Sequence, residues 1–437
     1  MNNSYSIRSL SIPNPESILY IGNGRTLTVT KSGIDLVGTI VVNPDDTCCS
    51  ASTIVLAKDA AISGSGTISL GGRQSHAIIT TTNSGTDTAS LGAGIVIDGV
   101  GTLGGVLNSQ ASIEGGAIYP GPVIDGTVYQ SGPGRLYVAV GGRSASIGAG
   151  TLVGGQIETL GGGVVNAIGR PSKISGVQIT PNSTLHVRED STLRVLSGGL
   201  VNDGTIVVDP TPNCCDQTNL ELTLGAVVSG TGTVVLGSLT HASITTTSTN
   251  TDLATIAGGQ VITGNGAIAG NVSCDGTIAP GVSIGRIDCA GGISMGATGV
   301  IEIDLASASS RDSIQGSGGL ELGGKLRVRF LNNYQLPFNQ KYTMISVGTR
   351  TGEFDTIELP PNGQLPGKLA IRYVGNTVVL GRYCPADVNW DGFVNGDDYD
   401  AFAELFDIAD PAADFNADGF VNGNDYDEFA DHFDTGC

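Results

Sequence analysis

The sequence predicts an all-β protein, a parallel β-helix (β-solenoid) that we expect to be right-handed, followed by a small α-helical domain at the C-terminal end. Three observations support this prediction. A Gly-Thr-aliphatic tripeptide recurs from Gly38 to Gly276, a long part of that region matches a later part of the chain, and the composition changes abruptly near residue 384.

The recurring tripeptide marks the start of short runs in which aliphatic and small polar residues alternate. Its glycines are Gly38, Gly66, Gly101, Gly126, Gly150, Gly204, Gly232 and Gly276. Most of the intervals fall within the period of roughly 20–50 residues that is typical of stacked structural repeats. Because no long apolar stripe of helical period occurs before residue 397, the stacked units are predicted to be β-coils that bury Val, Ile and Leu.

The self-match relates residues 20–105 to residues 186–270. Gly38-Thr39-Ile40-Val41-Val42 corresponds to Gly204-Thr205-Ile206-Val207-Val208, and Cys48-Cys49 corresponds to Cys214-Cys215. The repeat leads to four predicted parts. They are an N-terminal segment (1–19), a solenoid with the internal duplication (20–305), the terminal rungs and cap of the solenoid (306–383), and the C-terminal domain (384–437).

One stretch of the solenoid resembles a known family. Gly264-Asn265-Gly266-Ala267-Ile268 is followed by Gly276-Thr277-Ile278-Ala279-Pro280-Gly281, and this combination is similar to the passenger β-helix of autotransporter-type adhesins. The resemblance is good over residues 264–383 and loose over residues 20–263. It implies the β-helix fold, and it does not extend to the export mechanism of that family.

The C-terminal segment, residues 384–437, holds most of the net charge of the chain. It contains 13 Asp and 2 Glu and no Lys or Arg, so it contributes −15 of the total −20. Two loops of similar sequence start at Asp387 and Asp414, with Gly392 and Gly419 at the sixth position. This is the pattern of EF-hand-type calcium loops, which supply oxygen ligands from positions 1, 3, 5, 7, 9 and 12. The predicted ligands of two Ca²⁺ ions are Asp387, Asn389, Asp391, the Phe393 carbonyl, Asn395 and Asp398, and then Asp414, Asn416, Asp418, the Phe420 carbonyl, Asn422 and Asp425.

This tandem of loops resembles a dockerin domain, in which each loop is followed by one helix. The resemblance implies a calcium-dependent module that attaches a secreted protein to a cohesin-like or other surface scaffold protein. One feature departs from the familiar pattern. Dockerins often carry a Ser-Thr pair at loop positions 10 and 11, whereas this chain has Gly396-Asp397 and Gly423-Asn424. Calcium binding therefore carries over from the resemblance, whereas a standard cohesin partner does not.

The eight cysteines favour an oxidising compartment. Cys384 and Cys437 bracket the C-terminal domain and are expected to clamp it, while Cys274 and Cys289 are expected to cross-link neighbouring coils. The connectivity of Cys48, Cys49, Cys214 and Cys215 stays open, since adjacent cysteines form only strained bonds with each other. Together with the calcium loops, the cysteines predict an extracellular or cell-surface location. No signal peptide is visible near Met1, so either a leader is missing or removed, which we favour, or export uses another route.

The remaining signals narrow the functional classes. The sequence has no uninterrupted apolar run that predicts a transmembrane segment, and the acidic balance argues against a nucleic-acid partner.

No catalytic residue is predicted, because the acids of the solenoid are scattered. We therefore expect a non-catalytic structural or adhesin-like solenoid. The alternatives are a polysaccharide-degrading β-helix enzyme that carries a dockerin, and a carbohydrate-binding or ice-binding solenoid. A cleft with three or more carboxylates plus Arg or Lys on stacked rungs would favour the enzyme.

Overall fold

The computed structural model describes residues 3–44, 50–71, 76–211, 216–249, 251–361, 367–416 and 418–435. The chain forms a parallel β-solenoid of about 13 turns, followed by two α-helices near the C-terminus. The predicted fold class is thus confirmed. None of the helices in the described ranges is long and apolar enough to cross a membrane.

The strands are numbered β1 to β44 in chain order. Strands β1 to β15 are Tyr5–Ile12, Ile18–Ile21, Thr26–Leu36, Thr39–Val42, Ser52–Leu56, Ala61–Gly64, Thr67–Gly71, Ala77–Thr81, Thr88–Leu91, Val96–Leu103, Val106–Ser109, Ser112–Glu114, Pro122–Ile124, Thr127–Gln130 and Arg135–Val138. Strands β16 to β30 are Ser144–Ile147, Thr151–Val153, Gln156–Thr159, Val164–Ala167, Ser172–Ser175, Val177–Ile179, Thr184–Val187, Thr192–Val195, Leu200–Asn202, Thr205–Val208, Thr218–Leu222, Val227–Ser229, Thr233–Gly237, Ala242–Thr246 and Leu253–Ile256. Strands β31 to β44 are Val261–Ile268, Asn271–Cys274, Thr277–Pro280, Arg286–Cys289, Gly292–Met295, Val300–Leu305, Ser313–Gln315, Gly319–Glu321, Lys325–Phe330, Lys341–Ser346, Thr349–Thr351, Thr356–Glu358, Lys368–Val374 and Thr377–Tyr383. The helices are α1 (Gly396–Asp407) and α2 (Gly423–Thr435), with a 3₁₀ turn at Pro411–Ala413 between them.

Through most of the body each strand pairs in parallel with the strand three further along, so that one coil contains three strands. The coils differ in length: a short one leads from Val96 to its partner Ser112, and a long one leads from Lys325 to its partner Thr356. Aliphatic residues stack in columns inside the coils because alternate side chains of a strand point to one face. The core is a single continuous cluster that runs from Ile12 to Leu380.

Apart from Gly101, which lies within β10, the glycines of the recurring tripeptide lie at corners where successive coils touch. A Cβ atom on Gly66 would lie 2.3 Å from the Gly38 carbonyl oxygen, and one on Gly232 would lie 2.3 Å from the Gly204 carbonyl oxygen. Three pairs of the threonines that follow face each other across adjacent coils: Thr39 with Thr67, Thr127 with Thr151 and Thr205 with Thr233. The sequence period therefore reflects a close backbone approach that only glycine permits.

The two copies of the duplicated region share local backbone features. Ser52 N–H donates to the His76 carbonyl, and Thr218 N–H donates to the His241 carbonyl. Asn43 and its counterpart Asp209 both adopt a left-handed conformation, with φ of 58° and 60°. The copies thus have similar corners as well as similar strands.

The solenoid ends in a sheet of different character. Strand β44 pairs antiparallel with both β40 and β43, whereas the coils before it pair in parallel. We call β40, β43 and β44 the end sheet. The Arg382 side chain is fully buried there, and its Nε donates to the Leu336 carbonyl at 2.7 Å. The end sheet closes the solenoid core just before the C-terminal domain begins.

Candidate calcium-binding module

The two predicted loops, residues 387–398 and 414–425, each run directly into a helix. Asn395 caps α1, and its side-chain oxygen accepts a hydrogen bond from Asp397 N–H at 2.8 Å. The Asp398 carboxylate accepts in return from Asn395 N–H at 3.0 Å. This reciprocal capping box fixes the last predicted ligands of the loop at the start of the helix.

The helices pack through residues that occupy equivalent positions in the two halves. The rings of Phe402 and Phe429 stack with centroids 4.1 Å apart and an interplanar angle of 6°. The hydroxyls of Tyr399 and Tyr426 are 2.9 Å apart. Phe402 and Phe429 are buried at the centre of a small core that is separate from the solenoid core. These contacts between the helices build a miniature domain, which brings the two loops into one unit.

Within each loop, backbone N–H groups hold the predicted ligand side chains in place. In the first loop the hydrogen bonds, donor first, are Gly392 N to Asp387 Oδ2 at 3.0 Å, Asp391 N to Asn389 Oδ1 at 2.9 Å, Phe393 N to Asp391 Oδ1 at 2.8 Å and Asn389 N to Asp398 Oδ1 at 3.0 Å. In the second loop they are Gly419 N to Asp414 Oδ2 at 2.8 Å, Asp418 N to Asn416 Oδ1 at 2.9 Å, Phe420 N to Asp418 Oδ1 at 2.9 Å and Asn416 N to Asp425 Oδ1 at 3.1 Å. The two loops thus share one hydrogen-bond pattern, position by position.

The first loop gathers three carboxylates around one point. Asp387, Asp391 and Asp398 each offer an oxygen, and these atoms all lie within 4.8 Å of one another. Asp387 is 1% exposed, and its Oδ1 is buried without a hydrogen-bond partner. Burial raises the pKa of the Asp387 carboxyl, and the neighbouring Asp398 and Asp391 carboxylates raise it as well. An unpartnered buried oxygen beside two further carboxylates is a suitable environment for a hard cation with oxygen ligands.

The carboxylates of the second loop lie farther apart than those of the first loop. Within the described part of the chain, Asp414, Asp418 and Asp425 do not form a second group of acids within that distance. Asp425 is fully buried, and hydrogen bonds from backbone N–H groups, first that of Asn422, lower the pKa of its carboxyl. The second loop therefore has the same donors and acceptors as the first, with its carboxylates farther apart.

Sequence reasoning missed the contact between the first loop and the solenoid. Trp390, at position 4 of the first loop, packs edge-on against Tyr383 of the end sheet with centroids 4.3 Å apart. The sequence contained one signal for it, since the second loop has Ala417 at the equivalent position. Without the fold, nothing indicated which surface the tryptophan would contact.

The solenoid carries a polar cleft of about 360 Å³ on stacked rungs of the second repeat. Its charged lining residues are Arg170, Asp190, Arg194, Asp216 and Glu221. Arg194 Nε lies 2.6 Å from Glu221 Oε2, and Arg170 pairs with Asp190. The corresponding positions of the first repeat are uncharged: Gly24, Thr28, Ser50 and Val55 stand where the second repeat has Asp190, Arg194, Asp216 and Glu221.

This cleft has the composition that would favour an enzyme, with three carboxylates and two arginines. Glycoside cleavage requires two carboxyl groups on either side of a sugar, one to donate a proton and one to act as base or nucleophile. Here two of the three carboxylates are ion-paired with arginines. The cleft therefore offers charged and hydrogen-bonding groups to a polar ligand. The two ion-paired carboxylates do not by themselves form the pair of acid and base that glycoside cleavage requires.

The predicted cross-link between Cys274 and Cys289 is wrong, because both residues are buried free thiols. The strand register explains the error. Cys274 lies beside Ile256 and Met295 in the neighbouring coils, whereas Cys289 lies beside Ile268 on another face of the solenoid. Burial raises the pKa of each thiol to about 12, so the thiols behave as core residues.

Cys384 is disulfide-bonded. Its predicted partner Cys437 lies outside the described residues, as do the adjacent pairs Cys48-Cys49 and Cys214-Cys215.

In comparisons with known proteins, no family model matches this chain, and no curated protein matches it. The likenesses to dockerins and to autotransporter passengers therefore rest on the quoted motifs and on the geometry described above.

Proposed function

We propose that this protein is a secreted or surface-displayed β-solenoid with a structural or adhesin-like role, attached through its calcium-dependent C-terminal module. The observation that carries the proposal is the first loop, where three carboxylates lie within 4.8 Å of one another and one buried oxygen of Asp387 has no partner. The common hydrogen-bond pattern of the second loop supports a second ion there.

The ligands assigned to the first Ca²⁺ ion are those predicted from the loop spacing, Asp387, Asn389, Asp391, the Phe393 carbonyl, Asn395 and Asp398. The ligands assigned to the second ion are Asp414, Asn416, Asp418, the Phe420 carbonyl, Asn422 and Asp425. The ion neutralises carboxylates that otherwise repel one another, and it thereby stabilises a domain whose core is too small to be stable by itself.

The partner in this proposal is a cohesin-like or other scaffold protein on the cell surface. The module presents two apolar side chains from equivalent loop positions to solvent, because Phe393 is 72% exposed and Phe420 is 73% exposed. The −15 charge of residues 384–437 favours a partner surface with basic groups. Such a surface would suit a module that lacks the Ser-Thr pair of familiar dockerins.

The test is calcium-dependent attachment of the full chain to the surface of the cells that produce it. The wild-type protein should attach in calcium and be released by a chelator, and the Asp387→Ala/Asp414→Ala variant should not attach. The exposed acids Glu16 and Glu353 provide a matched control, since Glu16→Ala/Glu353→Ala removes the same charge and should leave attachment unchanged. Attachment of the loop variant at the wild-type level would refute the proposal.

A second candidate function is carbohydrate binding at the polar cleft of the second repeat. The observation that favours it is that four of the five charged residues of the cleft lie in the second repeat, whereas the corresponding positions of the first repeat are uncharged. Binding of a panel of neutral and uronate oligosaccharides, weakened by Arg194→Ala/Glu221→Ala, would support it. A reducing-end assay on the same panel would separate binding from the polysaccharide-degrading alternative.

A further inference from the structure

Trp390 is the only tryptophan of the chain, and it lies between two predicted ligands of the first loop, Asn389 and Asp391. Its backbone is left-handed, with φ of 66°. Because its neighbours on both sides contribute to the predicted calcium site, the direction of the indole ring depends on how the loop closes around the ion. The equivalent residue of the second loop is alanine.

Trp390 contacts a residue on each of the three strands of the end sheet. Tyr383 packs edge-on against the indole ring at 4.3 Å and 77°. The Arg372 guanidinium carbon lies 3.0 Å from the centroid of the ring. Lys341 Nζ donates to the Trp390 carbonyl oxygen at 3.2 Å. Aromatic edge contacts and cations over a ring are both attractive, so this set is a specific docking contact.

The contact is partly withdrawn from solvent. Tyr383 is 3% exposed, and Arg372 Nε is buried without a hydrogen-bond partner. Burial lowers the pKa of Arg372 to about 10. A desolvated guanidinium gains more from an aromatic face than an exposed one does, which favours the docked position of the ring.

We propose that the first calcium loop is an internal joint, in which the bound ion holds Trp390 against the end sheet and so fixes the C-terminal module on the solenoid. The second loop carries alanine at the same position, a side chain without the ring that such a contact requires. This inference rests on the proposed calcium-binding function, and it assigns different tasks to two loops of nearly the same sequence.

Two consequences follow from thermodynamic linkage. If calcium in the first loop favours docking, docking must favour calcium in the first loop by the same factor. Trp390→Ala keeps every predicted ligand and makes the first loop resemble the second. It should weaken calcium binding at the first site about tenfold, within the usual range of such couplings, and leave the second site unchanged. Ala417→Trp in the second loop is the matched control, and it should strengthen neither site.

The experiment follows the accessibility of Trp390 in the full chain, by acrylamide quenching of its fluorescence, while calorimetry on the same samples counts bound calcium. Quenching should fall when calcium is added. Asp414→Asn/Asp418→Asn should retain this response, and Asp387→Asn/Asp391→Asn should lose it. Arg372→Met should bind two calcium ions and still show the high quenching of the calcium-free protein.

The outcomes separate the two proposals. Two bound ions with quenching that does not respond to calcium, or an Arg372→Met variant that is protected as well as the wild type, would overturn the joint and leave the calcium module intact. Absence of bound calcium in the wild-type protein would overturn both.

Discussion

Asp312 is a buried acid, 2% exposed, in the last third of the solenoid. Its carboxylate oxygens accept hydrogen bonds from Gly285 N–H at 2.7 Å and from Asp304 N–H at 2.8 Å. Burial nevertheless raises the pKa of Asp312 from 3.8 to about 7. Because the folded-state pKa lies above the unfolded-state value, the folded chain binds the proton more tightly. The contribution of Asp312 to stability is therefore greatest below about pH 4 and is lost as the pH rises through about 7.

This pKa predicts how Asp312→Asn changes the pH dependence of unfolding. The neutral amide does not titrate, so the stability of the wild type relative to the variant should fall by on the order of 2 kcal/mol between pH 5 and pH 8. Urea unfolding at the two pH values measures the difference. Glu16→Gln, at an exposed position, should give a difference that does not change with pH. A constant difference for Asp312→Asn would show that the pKa of Asp312 is not raised.

At the scale of single residues, the loop spacing predicted the three acids that lie together in the first loop, and it predicted the same arrangement for the second loop, where the carboxylates lie farther apart. Asp387, Asp391 and Asp398 belong to one loop, and local hydrogen bonds from backbone N–H groups hold their carboxylates close to one another. Asp312 and Trp390 could not be assigned in this way. Their environments are made by residues of other coils and of the end sheet, which the sequence does not place.

The solenoid is built from coils, and its stability is most sensitive to substitutions at the corners of the coils. A Cβ atom on Gly66 would lie 2.3 Å from the Gly38 carbonyl oxygen and 2.6 Å from Leu36 Cγ. Gly66→Ala should therefore destabilise the solenoid by about 1–3 kcal/mol, the usual cost of forcing extra volume into a packed site. Gly85→Ala is the control, because nothing lies within 4 Å of its Cβ position. Equal denaturation midpoints for the two variants would contradict this account of the corner.

The sequence period predicted the coils well and the cysteine pair poorly, for one physical reason. The Gly-Thr-aliphatic tripeptide marks the same corner of adjacent coils at some positions, as with Thr39 and Thr67, and there its interval is the length of one coil. Elsewhere the next tripeptide lies at a different corner, since Thr67 pairs with Val96 and not with Thr102. The tripeptide does not give the length of each corner loop, and the coils vary widely in length as a result. The short separation of Cys274 and Cys289 in the sequence therefore could not establish that they are neighbours, and Met295 lies beside Cys274 instead.

At the scale of the whole molecule, the two cores are separate, and their stabilities should respond differently to calcium. The solenoid core runs from Ile12 to Leu380, while the module has its own core around Phe402 and Phe429. Chelation should therefore leave the β signal of the full chain in circular dichroism intact and reduce its helical signal. Loss of the β signal on chelation would indicate that calcium also stabilises the solenoid.

The central claim is that the C-terminal module binds two calcium ions through the two loops. Native mass spectrometry of the full chain counts the ions directly. We predict two ions in the wild type, one in Asp387→Ala, one in Asp414→Ala and none in the variant with both substitutions, because each substitution removes the first ligand of one loop. Two ions retained by the doubly substituted protein would contradict the assignment of both sites.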